Sequence, residues 1–370
     1  MSATASLDRP APEEILRVRD LHVEIPVYSG VIQPLNGFDL TVNRGEMAAL
    51  VGESGSGKSV AAWSILSLPK PPAKIVTGEI HWHGESVLAM LPDRVRHYRG
   101  KEVSLILANP RSHIHPLRRV GDQVEAVLRA HQRVSADEAR DATLSMLSAV
   151  GLPDAARIAK AYPHELSGGM AQRIVIAMAL INSPQLVIAD DATNGLDVTV
   201  QRQVLDLMTD LVNQRHASML MITHDLGVVA QYCRRATVMY AGQAVEIAET
   251  TRLFDNPLHP YTHGLLGTIR AVGATRGKPL PGLSPNPAAL PAGCYLEPRC
   301  PVRLPECKQI RPEMRQAEPG HWVRCVHFAD MGDTGTPGKP TLQLHPVPDA
   351  PRTLRPDLVT SPAHSHDARG

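Results

Sequence analysis

The chain predicts an α/β fold, a parallel sheet covered by helices on both faces. Two observations carry this expectation. First, Met47-Ala-Ala-Leu-Val51 reads as a buried strand that ends at Gly52-Glu-Ser54-Gly55-Ser-Gly57-Lys58-Ser59-Val60, and helical spacing follows from Lys58 to Leu68. Second, apolar strand runs return at Gln185–Ala189 and Ala217–Thr223, separated by helical patterns at Ala171–Ile181 and Val198–Arg215. At 43% hydrophobic and 20% charged residues, the 370-residue chain is neither disordered nor membrane-embedded in composition and exceeds one ordinary domain.

The remaining elements follow in chain order. Residues 1–14 are polar and Pro-containing and read as a loose terminus without the apolar region of a secretory signal. Two short β-type runs follow at Leu16-Arg-Val-Arg and Leu21-His-Val-Glu-Ile. Residues from Pro116 to Ile158, rich in Ala, Leu, Arg and Glu, form a helical insertion. Beyond Thr250 the composition turns Pro- and Cys-rich, and from 330 to 370 Pro, Gly, Thr and His predict a disordered tail. No apolar run approaches the roughly 20 residues of a bilayer span, so a cytoplasmic location is expected. A net charge of +1 gives no support for nucleic-acid binding.

The glycine-rich loop has the chemistry of a phosphate cradle. Glycines let backbone N–H groups approach an anion, and the following helix adds its N-terminal partial charge. Lys58 would reach the β- and γ-phosphates of ATP, and the Ser59 hydroxyl would ligate Mg²⁺. Asp190, closing the strand Leu186-Val-Ile-Ala-Asp190, would hold the same metal. A chance glycine turn would lack the strand before it and the helix after it. Ser167, Gly168 and Gly169 of Leu166-Ser-Gly-Gly-Met170 open another helix, where a plain N-cap would account for Ser167 alone.

Taken in their order and spacing, these three segments resemble the ABC transporter ATPases, and the resemblance covers most of the chain. It implies a P-loop NTPase core over residues 15–253, with an N-terminal antiparallel β-subdomain and a helical subdomain over about 112–164. It also implies a small Cys-bearing C-terminal domain over 254–329. It implies that Ser167, Gly168 and Gly169 contact ATP held by the opposite subunit of a dimer. His224, in Met221-Ile-Thr-His224-Asp225, would contact the γ-phosphate and position water. Asp197 would lie in the loop crossing the dimer interface, and Tyr28 against the adenine ring.

Two positions depart from the family pattern. Asp191 stands where the family has the Glu that orients the attacking water, and Ala108 stands where it has Gln. One methylene fewer draws a carboxylate back by more than ~1 Å, where catalytic geometry tolerates roughly 0.5 Å. Drift within a working enzyme is one reading. The other is a weakly hydrolytic subunit whose signature loop completes the site of a different ATPase, which favours a heterodimer.

Pro257-Leu-His-Pro260-Tyr-Thr262 resembles the His-Pro-Tyr segment of ATPases that serve oligopeptide, dipeptide and nickel importers. Their partners are two membrane permease subunits and an extracytoplasmic solute-binding protein, with the ATPase peripheral on the cytoplasmic face. A soluble mechanical or regulatory ABC-type ATPase is the alternative. Cys294, Cys300, Cys307 and Cys325 cluster late in the chain, where metal is a better expectation than disulfides in a cytosolic protein. Their spacing lacks the Cys-x-x-Cys knuckle common at zinc sites. The family resemblance implies a 4Fe–4S cluster on these four, with zinc or no metal left open and with His321 and His327 outside the ligand set. Cys233 reads as an ordinary buried residue.

Overall fold

A computed structural model describes residues 13–28, 30–267 and 280–328. Most of the loose-terminus and tail expectations (residues 1–12 and 329–370) lie outside the described residues.

The first strands, β1 (Glu14–Val27), β2 (Gly30–Asn43), β4 (Lys74–Trp82) and β5 (Glu85–Ser86), make an antiparallel sheet in the order β2-β1-β4-β5. The two runs read from sequence at Leu16 and Leu21 are one strand. A bulge between Val18 and Leu21 joins them, with Asp20 at φ 44°. Between β2 and β4 come β3 (Met47–Val51) and α1 (Lys58–Ile65), and after β5 come α2 (Pro92–His97) and β6 (Val103–Leu107).

Helices α3 (Val120–Arg129), α4 (Ala136–Ala149) and α5 (Ala155–Lys160) follow in succession. Ser135 and Glu138 start α4 with a reciprocal capping box. The chain then runs through α6 (Gly168–Leu180), β7 (Leu186–Asp190), α7 (Val198–Gln214), β8 (Ser218–Thr223), α8 (Leu226–Tyr232), β9 (Arg235–Tyr240), β10 (Gln243–Glu249), α9 (Thr250–Asp255) and α10 (Pro260–Leu266). Two short strands, β11 (Arg315–Glu318) and β12 (His321–Val323), come last among the described residues.

Strands β9, β3, β8, β7 and β6 are parallel and form five adjacent strands, ending at the β6 edge, of an eight-stranded sheet of order β11-β12-β10-β9-β3-β8-β7-β6. Alternation sorts its two faces. Ala49, Val51, Val187, Ala189, Met219 and Met221 pack with α3 to α8, while Ala48, Leu50, Leu186, Ile188, Leu220 and Ile222 pack with α1 and the antiparallel sheet. Among the described residues no helix is long and apolar enough to cross a membrane.

The described part of the C-terminal stretch extends the larger sheet and its core. β12 pairs antiparallel with β10, β11 pairs with β12, and Tyr261, Tyr295 and Leu296 join the larger core cluster. Glu246 of β10 is fully buried and fastens the join. Its carboxylate accepts from the backbone N–H groups of Leu258 (2.7 Å) and His259 (2.9 Å), and His321 Nε2 lies 2.7 Å away.

Candidate nucleotide site

The parallel register places the candidate residues at one edge of the sheet. Val51 is level with Thr223, Asp190 with Ile222, and Leu107 with Asp190. The phosphate loop after β3, Asp190 at the end of β7, His224 after β8 and Ala108 after β6 therefore emerge together at the carboxyl ends of adjacent strands. Ligands of open α/β sheets bind at such edges.

Gly57 sits at φ 109°, and a Cβ there would lie 2.3 Å from the Pro34 carbonyl oxygen. Gly52 is equally confined, since its Cβ would meet the Met239 carbonyl oxygen at 2.2 Å. Only glycine fits at either point. Ser54, Gly55 and Ser59 are exposed and Val60 is half-buried, while Lys58 is buried and donates to the carbonyls of Gly52 (2.8 Å) and Glu53 (2.9 Å). Burial pulls the Lys58 ammonium below the usual lysine range, opposed by the charges of Asp191, Asp190 and Glu53. Burial pushes the Asp190 carboxyl up, the Ser59 hydroxyl that hydrogen-bonds to it works the other way, and Asp191 adds to the rise. The Ser59–Asp190 pair is a hydroxyl and a carboxylate next to a phosphate cradle, a donor set that suits Mg²⁺ bound to a nucleotide.

Asp191 is held at φ 45° by hydrogen bonds from its N–H to the Ile222 carbonyl and from the Asn194 N–H to its own carbonyl. Its carboxylate is 3.3 Å from His224 Nδ1, and His224 is largely exposed. Ala108 offers only its carbonyl, which His113 Nε2 approaches at 3.1 Å.

Ser167 is the N-cap of α6, its Oγ accepting from the Met170 N–H, and Ser167 and Gly168 are exposed. Asp197 caps α7 in the same manner through the Val200 N–H. The two helix starts adjoin, since a Cβ on Gly169 would sit 3.1 Å from Val200 Cγ1. Tyr28 lies at the β1–β2 turn on the antiparallel sheet, fully exposed.

The sequence reading did not include a second set of contacts on the phosphate loop. The Glu53 carboxylate takes a bidentate pair from Arg299 (3.0 and 3.2 Å) and a hydrogen bond from Ser284 Oγ (2.6 Å), and the Glu53 N–H donates to Tyr261 Oη (2.8 Å). Burial works to raise the Glu53 carboxyl, but the Arg299 and Ser284 hydrogen bonds outweigh it and hold it below the usual range. The one sequence signal for this contact is the His259-Pro260-Tyr261 segment. His259 Nδ1 accepts from the Tyr261 N–H at the start of α10, which presents the phenol to Glu53.

The four late cysteines are electrostatic neighbours, with Cys325 raised to about 12 by burial first and then by Cys294, Cys300 and Cys307. Burial likewise lifts Cys300 to about 11 and raises Cys294. Among the described residues, no three His, Cys, Asp or Glu side chains gather closely enough to hold a metal ion. Cys233 is buried on the main core, and burial raises its thiol to about 12.

Residues 35–194 match the ABC transporter family and residues 245–307 match the oligopeptide/dipeptide transporter C-terminal region. The dipeptide transport ATP-binding protein DppD of Bacillus subtilis is 41% identical over 85% of this chain and 94% of its own length. The oligopeptide transport ATP-binding protein AppD of the same organism is 42% identical over 81% and 93%. A dimeric ATP-binding cassette, MJ0796, solved with ADP and Pi in a post-hydrolysis state, is 25% identical and superposes with a TM-score of 0.58 over 64% of this chain and 99% of its own. The phosphate loop, the strand-end carboxylates and the capped signature helix thus stand in a chain that belongs to the ATP-binding subunits of ABC transporters, which hydrolyse ATP to drive transport.

Proposed function

We propose that the chain is the ATPase subunit of a binding-protein-dependent importer of peptides or similar small solutes, seated on the cytoplasmic face of the membrane against two permease subunits. The observation that carries the reading is the phosphate loop beside the Ser59–Asp190 pair, joined in one fold to the His-Pro-Tyr segment. It is supported by relatives whose names state peptide transport.

In this reading Gly52 to Val60 bind the ATP phosphates through backbone N–H groups and Lys58, while Ser59 and Asp190 hold Mg²⁺, which neutralises phosphate charge. Tyr28 stacks on the adenine. Ser167, Gly168, Gly169 and Asp197 face ATP bound by a second ATPase subunit, so that nucleotide closes the pair. The helical subdomain (about 112–164) passes the closure to the permease. Water attacks the γ-phosphorus, oriented by Asp191 and His224, and ADP leaves with inorganic phosphate. Because Asp191 is shorter than the family's Glu and Ala108 offers no side-chain amide, this site turns over slowly and its partner is a different, fully hydrolytic subunit. Cys294, Cys300, Cys307 and Cys325 would hold a structural 4Fe–4S cluster through their thiolates, as the family resemblance implies.

The test compares steady-state hydrolysis by the purified chain with Asp191→Glu, Ala108→Gln and the double substitution, with ATP binding measured alongside. Much faster turnover in the restored variants at equal binding supports the slow-site reading, and equal rates in all four refute it. Iron and sulfide assay of anaerobically purified protein tests the cluster directly.

A further inference from the structure

The phosphate loop is held from outside itself at several points, among them the Ser56 carbonyl, which accepts from the Gly242 N–H at 2.9 Å, and the largest set of these contacts falls on Glu53. Glu53 is its second member, and that residue is fixed at three points by residues more than 200 positions downstream. Its carboxylate is bound by Arg299 and Ser284, and its N–H by Tyr261. Its carbonyl oxygen in turn accepts from Lys58 Nζ at 2.9 Å and from the Ser56 N–H at 3.2 Å. The residue that places the lysine is therefore the residue that the C-terminal segment grips.

The grip is built into the core. The Arg299 side chain is 8% exposed, donates through Nε to the Pro281 carbonyl at 2.9 Å, and lies over the Tyr240 ring. The Tyr240 ring packs on Tyr261 with centroids 4.6 Å apart. The same segment reaches across to β2, where the Gln33 N–H donates to the Pro287 carbonyl at 3.0 Å. A planar guanidinium on a carboxylate fixes direction as well as distance, and lysine cannot reproduce both bonds.

We propose that Arg299 is a positioning residue for ATP binding, acting through Glu53 on the carbonyl that holds Lys58, with Tyr261 bracing the same residue through its N–H. The C-terminal segment thereby sets the affinity of the phosphate loop for triphosphate. This rests on Gly52–Ser59 being the ATP loop, which Lys58→Ala tests separately. Wild-type ATP binding in that variant removes the loop assignment itself.

The experiment is equilibrium binding of a fluorescent ATP analogue with Mg²⁺ to the full chain, with turnover at saturating ATP measured in parallel. Arg299→Met and Glu53→Gln each raise Kd about tenfold, the scale of one charge-assisted bidentate contact, while turnover of Arg299→Met at saturation stays within about twofold. Arg299→Lys recovers part of the loss, and the double variant is no worse than the weaker single one. Tyr261→Phe keeps the ring stack and raises Kd about threefold, which carries the test should Arg299→Met fail to fold. Wild-type Kd in Arg299→Met or Tyr261→Phe, or losses that multiply in the double variant, overturns the proposal.

Discussion

Removing the Glu246 carboxylate is the most direct probe of how the C-terminal strands are fastened to the sheet. Glu246→Ala leaves the N–H groups of Leu258 and His259 and the Nε2 of His321 without their acceptor, in a place with no solvent exposure. Each orphaned buried donor costs about 1–3 kcal/mol, and water entering the vacated space recovers part of that, leaving roughly 4 kcal/mol. Glu246→Gln is milder. Its oxygen can still serve Leu258 and His321, whereas its NH₂ faces the His259 N–H, a loss of about 2 kcal/mol. At about 2 °C per kcal/mol for a chain of this size, the thermal midpoint falls about 8 °C for Ala and about 4 °C for Gln. Circular dichroism melts at one fixed scan rate read the effect, with Glu313→Ala as an exposed control expected within about 1 °C. A midpoint for Glu246→Ala within about 2 °C of wild type would refute the reasoning, because it would mean that those donors find other partners at no cost.

Two further outcomes are expected. Gly57→Ala forces a side chain onto φ 109° and against the Pro34 carbonyl, so it strains the loop by about 1–3 kcal/mol and raises the ATP Kd at least tenfold, as titration calorimetry would record. The His259 imidazole is pulled down to about 4, by burial first, and must stay neutral to accept from the Tyr261 N–H. Its folded value lies below the unfolded value of about 6.5, so its contribution is complete above that pH and is lost as pH falls towards 4. Melting midpoints measured across this window should drop on acidification, and a smaller drop is expected in His259→Asn.

The strand, loop and helix around Lys58 were legible because each carries a local signal: an apolar run, glycines at positions that exclude side chains, and helical spacing. Asp190 and His224 were legible for the same reason, as polar residues closing apolar strands. β11 and β12 were not, since strands of four and three residues show no periodicity and pair with partners far away in sequence. The Arg299–Glu53 contact spans 246 positions and leaves no local trace at either end. The His-Pro-Tyr segment was visible as a pattern, but its purpose was not. That became clear only once His259 was seen capping α10 and Tyr261 meeting Glu53.

The pairing of β12 with β10 also sets a timetable for synthesis. Until β12 emerges, β10 is a bare sheet edge carrying Ala244, Val245, Ile247 and Ala248, the type of strand that recruits other chains. Glu246 and its partner Val323 are 77 positions apart, so at roughly 5–20 residues per second that edge stays open on the ribosome for about 4–15 s. Arg299 is made within the same interval, after the phosphate loop has long left the exit tunnel. A nascent chain therefore reaches its finished nucleotide loop and its closed sheet edge almost together. Cutting the chain after α9 would leave a sticky, unbraced cassette in place of a smaller working one.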